Sequence, residues 1–257
     1  MLTFRNTNIV FIGLIAMLSI LSFYQNISLW IFVALVVAYS LVIFYGSCYV
    51  GSNFFMKVIC SGEGDEKKLA LSFDDGPATA HTSQVLDILE THKIPAAFFC
   101  IGNRVSGNEN LLKRIHEQGH MIGNHSYSHH FWFDMFPAKK MLADLQQANK
   151  AIKEAIALQP KLFRPPYGVT TPGMKKALIA GDLIPVGWNI RSMDTVIKDE
   201  QKLFDKVSRA LKPGAILLFH DTCASTIKML PSLITHAQQK GYEFVRLDKL
   251  INKEAYV

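Results

Sequence analysis

Two regimes of hydrophobic patterning divide the chain. From position 6 to position 56 there is no Asp, Glu, Lys or Arg, and two apolar runs fill most of the interval. "IVFIGLIAMLSILSF" covers 9–23 and "LWIFVALVVAYSLVIFYGSCYV" covers 29–50, with "YQNIS" between them. A hydrocarbon core of about 30 Å takes about 20 helical residues. The second run meets that length, and the first meets it with its polar flanks. The pattern predicts a transmembrane helical hairpin, with helices over about 9–24 and 29–50. Trp30, Tyr45 and Tyr49 lie near the ends of the second run, where aromatic belts form. A cleavable signal peptide is the alternative for the first run, but no small-x-small cleavage site precedes Tyr24.

From Lys57 onward, short apolar runs alternate with helix-period segments. Strands are predicted over 69–73, 96–101, 121–124, 162–164, 184–190, 215–220 and 243–247. Helices are predicted over 83–93, 110–119, 138–158, 200–211 and 227–241, with Pro231 breaking or starting the last. This alternation argues for parallel strands in an open sheet or a barrel. The organisation is therefore a membrane region over 1–56 and one α/β domain over 57–257, roughly 200 residues and enough for a proper core.

In parallel α/β folds, chemistry collects at the carboxyl ends of the strands. There the chain places Asp74 and Asp75, then His125 and His129, then Arg164 before "PPYG", then Trp188 through to Asp194, then His220 and Asp221. The opposite rim has no such pattern. Two adjacent carboxylates repel and are costly unless a cation is near. His125 and His129, four apart, fit one side of a helical turn, a spacing found in zinc sites. One Asp of the pair completes a two-His-one-carboxylate set, and the other can take a proton from water activated there. Arg164 suits a bidentate grip on that second carboxylate, and His220 is a second proton-transfer group. The bland alternatives are a polar Gly-Pro turn at 74–77, loop histidines at 125–130 and a turn at 220–221.

The net charge of +6 is spread without a Lys/Arg cluster, which disfavours a nucleic-acid partner, while weak attraction to anionic membranes or glycans stays open. The four cysteines have no CxxC spacing and imply no disulfide framework.

"SFDDGP", "NHSYSH", "FRPPYG", "WNIRSMD" and "ILLFHD", in this order, resemble the five motifs of the polysaccharide deacetylases, carbohydrate esterase family four with the NodB homology domain. The resemblance covers about 65–250. It implies a distorted (β/α) barrel of seven to eight strands, a divalent metal (most often Zn2+, with Co2+, Ni2+ or Mn2+ as alternatives), and hydrolysis of N-acetyl groups on N-acetylglucosamine-containing polysaccharide or peptidoglycan. By this resemblance Asp74 is the catalytic base, and Asp75, His125 and His129 are the metal ligands. Arg164 orients the base, and the Tyr167 backbone N–H holds the oxyanion. His220 is the general acid tuned by Asp194, Leu218 lines the acetyl pocket, and Trp188 belongs to the substrate side. The chain departs from the family at Arg191 and Thr195, where Asp and Trp are frequent. That puts substrate identity, not activity, in question.

Two other functions stay open: deacetylation or deformylation of a lipid-linked amino sugar at the membrane, and an inactive carbohydrate-binding scaffold. No ligand or base is missing, which disfavours the scaffold. "HHFWFDMFP" (129–137) is unusually aromatic and is read as a core-packing loop, a sugar platform or a surface facing membrane lipid. The positive-inside rule favours the catalytic domain in the cytoplasm, and the resemblance favours the outside.

Overall fold

The computed structural model describes residues 2–257. Eight parallel strands form one sheet: β1 (Lys68–Asp74), β2 (Ala96–Cys100), β3 (Met121–Asn124), β4 (Leu162–Phe163), β5 (Ile184–Pro185), β6 (Ile190–Arg191), β7 (Ala215–His220) and β8 (Glu243–Phe244). Their order is β5-β4-β3-β2-β1-β7-β6, with β8 pairing the start of β1.

This order requires a curled sheet. Seven strands at about 4.8 Å spacing would put β5 about 29 Å from β6 if flat. The chain between Pro185 and Ile190 can span at most about 18 Å. The two edges are therefore brought together, and the distorted barrel follows. The run predicted as one strand over 184–190 is in fact these two edge strands. Gly187 and Trp188 carry the chain across the gap, with no room for a regular pair between them. The segment ahead of β1 helps close the opening: Ile59 bridges Val186 in parallel and Ser61 bridges Ala215 antiparallel.

Period-two alternation sorts the side chains. Leu69, Leu71 and Phe73 of β1, with Phe98 and Phe219, face an outer core covered by helices α3 (Thr79–His92), α4 (Glu109–Glu117), α7 (Glu200–Ala210) and α8 (Ala224–Gln239). Ala70, Ala97, Phe99 and Ile216 face the barrel interior. Helix α5 (Ala138–Ile156) buries Met141, Leu145, Ala148 and Ile152, one stripe at helical spacing. Helix α6 (Pro172–Ala180) was absent from the sequence pattern. Its start is nevertheless written there, because Thr171 Oγ1 accepts the Met174 N–H at 3.2 Å and Pro172 occupies the first turn. Helix α8 begins at Ala224 and runs through Pro231. A short helix, α9 (Leu247–Leu250), closes the bottom of the barrel.

The N-terminus folds as two helices, α1 (Phe4–Leu21) and α2 (Leu29–Cys48). Both are long and apolar enough to cross a membrane, and they bury almost nothing inside the protein. Helix α1 starts earlier than the hydrophobic run because Thr3 caps it, accepting the Asn6 N–H at 3.2 Å. The polar Asn8 is accommodated by the Tyr39 hydroxyl, which donates to it at 2.7 Å. Phe11 stacks on Tyr39 in the same seam. The hairpin base is tied to the domain, since Phe4 N–H donates to Phe54 O and Thr170 N–H donates to Ser47 O, both at 3.0 Å.

Candidate active site

The inner face of β1 ends in Ser72 and Asp74, and parallel register sets Asp74 beside His220 on β7. The chain then turns through Asp75, held at a positive φ of 75°. Five non-glycine residues of this rim, Asp75, Ser126, His129, Tyr167 and Met193, have left-handed backbone. Such strained positions cluster where surrounding structure fixes side chains for function.

Asp75 Oδ1 lies 3.6 Å from His125 Nε2 and 3.3 Å from His129 Nε2. Ligand atoms about 2.0–2.2 Å from a tetrahedral ion are about 3.3–3.6 Å apart, and both Asp75–histidine separations fall in that range. The three ligand atoms all lie within 4.8 Å of one another. His125 Nδ1–H donates to Arg164 O at 2.9 Å, which leaves the Nε2 lone pair for a metal. Burial, and next the charge of His125, lower the His129 pKa toward the neutral, ligating form. The two histidines do not share a helical turn as their spacing suggested. They converge from a loop bent at Ser126 and His129, with Ser126 Oγ accepting the His129 N–H at 3.0 Å.

Arg164 is fully buried and stacks on Phe99, its guanidinium carbon 4.1 Å from the ring centroid. Its grip on Asp74 is a single hydrogen bond, Nη1 to Oδ1 at 2.8 Å, and not the bidentate pair expected. The other donors are committed elsewhere, to Ser72 Oγ at 2.8 Å, Gly187 O at 3.0 Å and Val186 O at 3.4 Å. Asp74 Oδ2 is thereby left toward the Asp75–His125–His129 trio, 3.9 Å from His125 Nε2.

Opposite stands His220. Asp194 Oδ1 lies 2.7 Å from its Nδ1, and Asp194 Oδ2 accepts both the His220 N–H at 2.7 Å and the Thr226 hydroxyl at 2.6 Å. Burial disfavours charge on His220, but the hydrogen bond and charge of Asp194 outweigh it, and the pKa is raised. Asp194 in turn is pushed up by burial and pulled further down by His220 and Thr226, and ends lowered. Asp221, packed against Gly76, is completely buried; burial lifts its carboxyl to about 7, although Thr82 Oγ1 donates to Oδ2 at 2.6 Å. Ser72 and Thr226 escaped the sequence reading as site residues, whereas Asp221 was placed on the rim without a role. Ser72 was findable, two residues before Asp74 on the same strand face. Thr226 was not, because only packing of the α8 start brings it to Asp194.

The remaining wall holds Tyr167, Trp188 and Leu218. Tyr167 has φ 58° within the Pro166–Gly168 turn, and its ring lies 5.0 Å from that of His129. Trp188 packs on Gly168, where any Cβ would overlap the indole. Leu218 is buried on the same inner face, in register with Ser72. Arg191 lies over the Trp188 ring, and Thr195 is exposed. The aromatic loop is split. Phe133 is fully buried, whereas Phe131, Trp132 and Met135 are 66%, 58% and 70% exposed.

The fold and this rim find counterparts among known proteins. A profile of the polysaccharide deacetylase family matches residues 61–181. The peptidoglycan-N-acetylglucosamine deacetylase PgdA of Listeria monocytogenes is 31% identical over 191 residues, 74% of this chain but only 40% of that protein. A peptidoglycan-N-acetylglucosamine deacetylase of Bacillus cereus is 34% identical over 196 residues, covering 73% of this chain and 89% of the relative. Among solved structures, the Bc1960 peptidoglycan N-acetylglucosamine deacetylase superposes with a TM-score of 0.73 at 26% identity, over 77% of this chain and 94% of that one. The chain belongs to the polysaccharide deacetylase family, the carbohydrate esterases of family four. Its likeness lies in the α/β domain, and it spans about two fifths of the Listeria protein.

Proposed function

We propose that the protein is a metal-dependent hydrolase that removes N-acetyl groups from an N-acetylated amino-sugar glycan, with peptidoglycan as the substrate class. One observation carries this reading. An oriented carboxylate, Asp74, and an imidazole backed by a carboxylate, His220–Asp194, are register neighbours beside the Asp75–His125–His129 trio.

The donor set of two imidazoles and one carboxylate suits Zn2+, with Co2+, Ni2+ and Mn2+ as lesser fits. When bound, such an ion polarises the acyl carbonyl and acidifies water. Asp74, fixed through Oδ1 by Arg164, accepts a proton at Oδ2 from the attacking water. The Tyr167 N–H, presented by its left-handed turn, donates to the carbonyl oxygen as it gains charge. His220 delivers a proton from Nε2 to the departing amine while Asp194 stabilises the imidazolium, and acetate leaves. Leu218 and Trp188 shape the acetyl end of the pocket.

The hairpin anchors the domain in a membrane. With peptidoglycan as substrate, the domain lies outside the cytoplasmic membrane, against the charge rule; long domains cross regardless of flanking charge. A second substrate reading, a lipid-linked amino sugar, is favoured by the tie from Ser47 at the end of α2 to Thr170, three residues past Tyr167. Exposed Phe131 and Trp132 beside Tyr167 fit a pocket mouth that faces the bilayer.

The test is acetate release by the detergent-solubilised full chain with added zinc, on N-acetylglucosamine oligomers and on peptidoglycan. Release that disappears in Asp74→Asn supports the deacetylase. Zinc-loaded protein that releases no acetate from either polymer rules out the polymer reading.

A further inference from the structure

Where the hairpin meets the domain, a groove of about 790 Å³ opens between the start of α1, the segment after α2 and the start of α6. Its floor is apolar, with Phe54 and Phe55 buried beneath it and Ile179 on its wall. Its rim carries Arg5, Lys57, Lys175 and Lys176. All four are exposed, none is in an ion pair among the described residues, and no Asp or Glu lines the groove. Asp182 lines the adjoining surface and already faces Lys161 at 3.9 Å.

Three features of this groove belong together. Arg5 lies in the first turn of α1 and Lys57 follows shortly after α2, so the rim is level with the base of the hairpin. In a charge-free interval of some fifty residues, these are the cations that bound it on either side. Lys175 and Lys176 belong to the catalytic domain and reach the same groove from α6, so the clustering is a product of the fold and not of sequence proximity. Four cations repel each other and gain from a shared anion, and the apolar floor suits a glycerol backbone and the upper part of an acyl chain.

We infer that this groove binds the phosphate headgroup of an anionic phospholipid drawn from the membrane that holds the hairpin. The bound lipid fills the wedge between hairpin and α6 and fixes the height of the catalytic domain above the bilayer. The inference rests on the membrane-anchor reading given above, and is independent of which glycan is cleaved.

The experiment titrates the full chain in dodecylmaltoside with short-chain phosphatidylglycerol, phosphatidylcholine and inorganic phosphate, read by calorimetry. The partner variant is Lys175→Glu/Lys176→Glu, whose acetate-release activity, or circular dichroism, reports that it is folded. Cationic side chains near an anionic surface act additively. Phosphatidylglycerol is expected to bind about tenfold or more tightly than phosphatidylcholine, and the double variant is expected to lose that preference. Equal binding of the two lipids overturns the inference. So does a preference that survives in the folded double variant, or displacement of the lipid by equimolar phosphate, which marks a site for soluble anions. Alkaline carbonate extraction of membranes separates the two readings. A chain released into the soluble fraction overturns the anchor and the groove together, whereas a retained chain with unselective binding overturns the groove alone.

Discussion

Asp194 holds His220 at two points, with Oδ1 2.7 Å from Nδ1 and Oδ2 accepting the backbone N–H at 2.7 Å. The Nδ1 contact opposes a ring flip and leaves the other nitrogen for the pocket. Burial opposes protonation, but Asp194 prevails and the pKa lies above the ordinary histidine value. The imidazolium thus persists to higher pH than an unassisted histidine would allow. In Asp194→Asn the cause of the rise is gone. The alkaline limb of the kcat profile should move to lower pH, and kcat should fall. His220→Ala should lower kcat by about 10²–10⁴-fold. An alkaline limb unmoved in Asp194→Asn would remove His220 from the role of acid.

Removal of either imidazole should empty the trio. Metal analysis of the purified chain should give close to one divalent ion per chain for the wild type, and far less for His125→Ala and His129→Ala. A chelator should abolish acetate release and added zinc should restore it. Metal content unchanged in His125→Ala would mean that the ion sits elsewhere.

Arg164 is fully buried and answers Asp74, Ser72, Val186 and Gly187 at once. Arg164→Met leaves Asp74 and two carbonyls without their donor. Breaking a buried pair in this way typically costs about 3–5 kcal/mol, and the base also loses its orientation. Thermal unfolding should show a lower midpoint, and kcat should fall together with kcat/KM. Arg164→Lys keeps the charge but not the planar fork, so it should recover part of the stability and little of the rate.

The Asp221 carboxyl titrates at about 7 in the folded chain because burial dominates, whereas an unfolded Asp titrates at about 3.9. Between these values the unfolded state ionises while the folded state keeps its proton. Stability therefore falls as pH rises across that window, by at most about 1.4 kcal/mol per pH unit, and levels off above it. Asp221→Asn should flatten that decline. Unfolding midpoints of both chains at pH 5 and pH 7.5 would show it; parallel declines would assign the pH dependence to other groups.

The candidate site was more legible in the sequence than the fold that builds it. Asp74, Asp75, His125, His129, Arg164, Asp194 and His220 lie at strand ends, where side-chain type alone marks them, and the chain brings them to one rim. Legibility failed where geometry depends on distant packing. The run 184–190 reads as one strand because its apolar pattern is continuous, yet it serves two sheet edges. The HxxxH spacing suggested a helix, while backbone turns at Ser126 and His129 do the work. Arg164 was expected to spend two donors on one carboxylate, but the carbonyls of Val186 and Gly187, reachable only once the sheet curls, claim the others. Thr226 is silent in the sequence for the same reason.

The crossover at 186–189 links these last points. The backbone that brings the two edges of the sheet together also supplies the carbonyls that hold Arg164, and through Arg164 the Asp74 carboxylate. The Arg164–Asp74 bond that this crossover supports joins residues 90 apart in sequence, the slow kind of contact in folding. A refolding chain can regain most of its secondary structure before that contact forms, but not its catalytic competence. Recovery of activity should lag recovery of circular dichroism, and turnover becomes a clock for the final closing of the barrel.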